Sequence, residues 1–166
     1  MTTTETTTTH TDGRHDFDFW FGQWDGHTRR LADVTDPDCT RWIELKSVSR
    51  AWPVLGGLGN IDENRYEGEK SFEGVTFRLY EPATGLWRIW WASSNFPGVL
   101  DPPVVGRFAD GTGTFEGDDS FHGRPVRVRF IWSDITADSA RWTQYFRWSE
   151  DGDWVRNWTT SFTRSG

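Results

Sequence analysis

Sulfur is almost missing from this chain of 166 residues: it holds one cysteine, Cys39, and one methionine. A single cysteine excludes an intrachain disulfide, so the fold must rest on packing and hydrogen bonds. Lysine is scarce as well, with only Lys46 and Lys70 among 18 basic residues. Against 25 acidic residues this leaves a net charge of −7 and a pI near 5.0. No basic surface is available to follow a phosphate backbone, so nucleic acid is not an expected partner. No run reaches the roughly 18 apolar residues of a membrane span, and no charged-then-apolar leader opens the sequence. We expect a cytoplasmic protein with no membrane partner. There is no Ser-His-Asp order, phosphate loop, dinucleotide fingerprint or zinc spacing. No metal site and no cofactor are therefore expected.

What the chain does have is tryptophan, twelve of them, mostly at alternate positions. Trp87 and Trp91 share a parity with Ile89, and Trp142 and Trp148 share one with Gln144 and Phe146. Trp154 and Trp158 share one with Arg156, Thr160 and Phe162. Period two marks a strand with two unlike faces. Runs with strand chemistry cover 24–32, 41–50, 57–67, 72–81, 86–94, 104–109, 113–118, 125–133, 140–149 and 154–164. Gly, Pro and Asp fill the breaks, as at Asp36-Pro37-Asp38, Asp110-Gly111 and Asp151-Gly152-Asp153. Even spacing with short turns predicts an all-β, antiparallel up-and-down barrel of about ten strands, since closure removes exposed edges. Residues 17–21 should form a short helical turn that plugs one end. The Pro-rich break 95–103 is too long for a tight hairpin and reads as a lid or portal. Residues 1–14, rich in threonine, read as a disordered tail, and 15–166 as one barrel domain.

Parity gives an expected interior. The apolar sets Val75-Phe77-Leu79, Val126-Val128-Phe130-Trp132 and Trp142-Gln144-Phe146-Trp148 should face in. Arg78, Arg88, Arg127, Arg129, Arg141 and Arg147 would then form an outer ladder paired with Glu44, Glu63 or Glu73. The inverse register is an open alternative, because a one-residue slip flips every side chain. On the apolar-in register the ligand-binding residues are Trp87, Trp91, Phe130, Trp132, Trp142, Gln144, Phe146, Arg156, Trp158 and Thr160. Arg156 would hold an acidic group and Trp158 would stack on a ring. Asp62 and Glu63 in the polar run 60–65, with Tyr145, are the candidates for acid–base work. Outward Trp42 and Trp90 leave a homodimer face open.

The segment Phe17-Asp18-Phe19-Trp20-Phe21-Gly22-Gln23-Trp24 ends in Gly-x-Trp. It resembles the opening of the first barrel strand in lipocalins and the wider calycins. There an Arg near the end of the last strand packs across that Trp. Gly22, Trp24 and Arg164 are the matching positions here. Segments 57–63, 78–82, 103–108, 132–136 and 157–158 extend the likeness to an uncharacterised bacterial lipocalin-like group. The resemblance implies a calycin barrel with no established activity. Haem-binding members need a His in the C-terminal half, and no His follows His122. The expected function is binding of a hydrophobic or aromatic small molecule with an acidic group. Two alternatives stay open: a cofactor-free cyclase, isomerase or dehydratase of specialised metabolism, and a haem or nitric-oxide barrel.

Overall fold

The computed structural model describes residues 12–165; residues 1–11, most of the expected tail, lie outside the described residues. Ten strands follow in chain order: β1 (Gly22–Leu31), β2 (Trp42–Val54), β3 (Gly59–Gly68), β4 (Phe72–Glu81), β5 (Leu86–Ser93), β6 (Val104–Ala109), β7 (Thr112–Phe121), β8 (Arg124–Ser133), β9 (Ser139–Arg147) and β10 (Val155–Arg164). Each pairs antiparallel with the next, and β1 pairs with β10, so the sheet closes. This is the closed all-β barrel that the spacing of turn signals predicts. Two hairpins show the turn chemistry directly. Asp110-Gly111 and His122-Gly123 hold both central residues at positive φ, the geometry whose twist matches the flanking strands. Among the described residues no helix is long and apolar enough to cross a membrane.

One end of the barrel is sealed by aromatic packing. A short helical turn, Asp18–Trp20, sits in the opening, with Phe17 and Trp20 fully buried. Phe17 meets Trp87 and Phe108 edge-on with ring centres 5.0 Å apart, and Trp20 lies 4.7 Å from Phe162. Burying each such ring contributes roughly 1.5–3 kcal/mol, and edge-to-face contact adds about 0.5–1.5 kcal/mol. Trp24 opens β1 and donates from Nε1 to the Trp20 carbonyl at 2.9 Å. Arg164 lies 4.2 Å over the Trp24 ring and donates to the Phe21, Phe19 and Ala137 carbonyls at 2.7, 2.6 and 2.9 Å. Gly22 stands beside that guanidinium at φ 111°, where a side chain would be strained and would crowd Arg164.

Two parts of the expected register differ. On β8 and β9 the apolar set faces in, and Val126, Val128, Trp132 and Phe146 are buried. On β4 the reverse holds: Thr76, Arg78 and Tyr80 are buried and Val75 is exposed. Phe77 instead stacks on Trp90 outside the barrel, 6.0 Å between centres. The cause is a buried ion pair, described below, that β4 contributes to the interior. Arg78 therefore leaves the outer ladder. The other arginines stay on it, with different partners: Arg88 pairs with Glu81, Arg127 and Arg129 with Glu116, and Arg141 with Asp134. Arg147 stacks over Trp154 at 4.9 Å.

The second difference is on β10. Arg156 pairs with Tyr145 and Trp158 with Gln144, leaving Asn157 as an extra residue in a bulge. Beyond a bulge the alternation restarts. Trp158 points in and is buried, while Arg156 points out and is exposed.

Candidate functional site in the barrel lumen

Above the aromatic plug lies a cavity of about 110 Å³. A single water needs roughly 10–15 Å³ of such space, so there is room for a small organic molecule. The floor comes from β3 and β4. Their inner parities place Asn60, Asp62 and Asn64 against Thr76 and Arg78. Arg78 Nη1 lies 2.7 Å from Asp62 Oδ2, both side chains almost wholly buried, and it donates to Asn60 Oδ1 at 2.9 Å. Asp62 also accepts from Trp20 Nε1 at 2.9 Å and from Asn64 Nδ2 at 2.6 Å. Ser49 Oγ donates to Asn64 Oδ1 at 2.6 Å. Such a pair persists in low dielectric only because its remaining sites are hydrogen-bonded. The carboxylate is committed to three donors and is not a free base.

Aromatic rings form the walls. Trp158 meets Trp142 and Trp91 edge-on at 5.4 and 6.1 Å, and Phe130 meets Trp142 at 5.1 Å. Gly74 on the inner face of β4 is what lets the Trp91 ring lie against the wall, since a Cβ there would collide with it. Arg30 is buried among these rings, 4.5 Å over Trp158 and 5.3 Å over Phe72. Burial pulls its pKa below the usual arginine range. Three lining residues carry buried donors that no protein atom accepts: Trp132 Nε1, Trp158 Nε1 and Arg78 Nε. Buried donors are paired in the great majority of cases, so these three stand out among the lining residues.

Across the lumen from Arg30 the polarity is opposite. The β5–β6 connection brings Asn95, Phe96, Asp101 and Pro102 to the cavity, and the Asp101 N–H is tied to the Trp91 carbonyl at 2.9 Å. Asp119, on the inner parity of β7, joins it. Burial, then the charge on Asp119, pushes the Asp101 carboxyl up to about 6. Burial raises Asp119 too, opposed by the Ser120 N–H. Tyr66, also lining the cavity, has its phenol raised by burial and by Asp62.

No family model and no curated protein matches this sequence. Among solved structures, the barrel is similar to that of the S-type phycobiliprotein lyase CPES from Guillardia theta. The TM-score is 0.61 over 95% of this chain and 94% of that one, at 11% identity. The two chains share a barrel fold. At so low an identity the likeness establishes the shared fold and nothing about activity.

Within this barrel the residues expected at the site separate into three groups. Trp91, Phe130, Trp132, Trp142, Gln144, Phe146 and Trp158 line the cavity together. Trp87 and Thr160 face inward but lie elsewhere. Trp87 is packed at the sealed end with Nε1 donating to the Gly13 carbonyl, and Thr160 shares a 2.7 Å hydroxyl hydrogen bond with Thr28. Arg156 is outside the barrel, as the bulge requires. Of the acid–base candidates, Asp62 is in the floor, Glu63 is exposed, and Tyr145 faces out opposite Arg156. His15, His27 and His122 are exposed, and none lines the cavity. Parity missed Arg30, Arg78, Asp101 and Asp119. One signal was readable: β3 and β4 carry polar residues on alternate positions, Asn60-Asp62-Asn64 and Thr76-Arg78, of complementary charge across one hairpin.

Proposed function

We propose that the lumen binds a small aromatic or hydrophobic molecule carrying an acceptor group, such as a carboxylate or a polarised carbonyl. The carrying observation is the set of unpaired buried donors on Trp132, Trp158 and Arg78 around an aromatic cavity. Arg30 adds a buried positive charge on the same wall. Apolar walls with a few convergent polar groups are the usual composition of a small-molecule site. Arg30 and Trp158 take the anchoring role that parity assigned to Arg156 and Gln144; Gln144 is occupied, donating to Asn157 Oδ1 at 3.0 Å.

Titration of the protein with 6-methyl-2-naphthoate, followed by calorimetry and native mass spectrometry, tests this reading. A one-to-one complex is expected. Trp158→Phe keeps an aromatic ring but deletes the indole donor, and should weaken binding about tenfold, the equivalent of one hydrogen bond to a charged group. Arg30→Met should weaken it at least as much. Absence of a complex, or a complex indifferent to both substitutions, would overturn the proposal.

A further inference from the structure

The lumen presents unlike chemistry on opposing walls. The β1–β10 wall presents donors, Arg30 and Trp158 Nε1. The facing wall presents two carboxyls, Asp101 on the β5–β6 connection and Asp119 on β7. Among the described residues neither carboxyl has a cation within ion-pair distance. The neighbouring charges are otherwise accounted for. Asp118 is held by Arg127 at 3.1 Å on the outer face. Asp33 accepts from the Thr35 hydroxyl at 2.6 Å, and His122 Nε2 lies 3.4 Å from that same hydroxyl. Asp62 and Arg78 neutralise one another in the floor, and Tyr66 and Arg30 lie on the walls. Two partly buried carboxyls without a counter-ion repel each other and carry a desolvation cost that a cation between them would relieve.

Resting on the lumen reading above, we propose that the ligand is amphoteric and enters in one orientation. Its acceptor end meets the Arg30–Trp158 wall, and a basic nitrogen at the far end is held by Asp101 and Asp119. The two carboxyls thus select for an aromatic molecule with opposed charges over a simple aromatic acid. Because Asp101 lies on the connection that borders the cavity, the bound nitrogen also fastens that connection over the mouth.

Three probes of one shape test this: 6-methyl-2-naphthoate, 6-(aminomethyl)-2-naphthoate and (6-methyl-2-naphthyl)methylamine. At pH 7.5 the aminomethyl acid should bind at least tenfold tighter than the methyl acid. In the doubly substituted Asp101→Asn, Asp119→Asn protein that advantage should vanish, while the methyl acid binds as well as before or better. The pH dependence separates the two acids. Asp101 ionises near 6, so lowering the pH to 5 protonates it. The aminomethyl acid should then weaken severalfold, and the methyl acid should not. Equal affinity of the two acids in the parent protein overturns the orientation and leaves the lumen reading standing. So does an advantage that survives the double substitution. Failure of all three probes to bind overturns both.

Discussion

Arg164 joins both ends of the described chain. Its guanidinium covers Trp24 and serves three carbonyls, two from the plug and one from the β8–β9 connection. Hydrogen bonds to a charged donor contribute about 1.5–3 kcal/mol where they can be isolated. Arg164→Ala should therefore lower the unfolding free energy by roughly 2–3 kcal/mol, read from urea denaturation. Arg164→Lys should recover only part of this, since a single ammonium cannot span three carbonyls and stack on an indole. A loss below about 0.5 kcal/mol would show that the plug holds without it. This contact was legible because Gly22 and Trp24 form a short motif and Arg164 stands at the fitting end of the last strand. Arg78 was not legible. Alternation on β4 favours Val75, Phe77 and Leu79 as the core, and only the partner strand, with Asp62, reverses that choice. A buried ion pair is a property of two strands at once, and no single-strand pattern contains it.

At the scale of the element, β10 shows how one inserted residue redistributes a face. Asn157 bulges out of the ladder, yet its side chain is buried and accepts from Gln144 Nε2 at 3.0 Å. The bulge thereby turns Trp158 into the lumen and Arg156 out of it. Period-two reading was sound on either side of Asn157 and failed across it, which is why the ligand anchor was placed on Arg156. Some strand ends, by contrast, were legible, though β2 runs four residues past the expected 41–50 to Val54. The bounds of β4 and β6 coincide with the predicted runs 72–81 and 104–109. β7 runs past the expected 113–118 to Phe121 because Asp119, Ser120 and Phe121 stay paired with Val126, Pro125 and Arg124. Asn157→Ala removes the acceptor that the buried Gln144 amide uses. Leaving such a group unsatisfied costs about 1–3 kcal/mol. A matching fall in the urea midpoint is expected, and Gln144→Leu in the same background should restore part of it. If the double variant is no more stable than Asn157→Ala alone, the pairing is not what the bulge secures.

Over the whole molecule the barrel is closed, but its seams are unequal. β1 and β2 pair through ten residues, whereas β5 and β6 pair through three, Trp87 to Gly106, Arg88 to Val105 and Ile89 to Val104. The short seam arises because the β5–β6 connection leaves the sheet early to border the cavity. That connection carries Phe96, Val99 and Leu100 exposed and Asp101 turned to the lumen. Local opening follows the density of hydrogen bonds and packing, so the seam with fewest pairs should open at the lowest free energy. Opening there would separate the mouth without disturbing the aromatic plug at the other end. Amide exchange measured residue by residue should accordingly find Arg88, Val105 and Gly106 less protected than Thr28, Leu45 and Ser47. Saturating 6-(aminomethyl)-2-naphthoate should raise protection along β5 and β6 more than along β2 and β3, because the bound molecule bridges Asp101 to the Arg30–Trp158 wall. Uniform protection around the barrel would show that the short β5–β6 seam is not where the lumen opens.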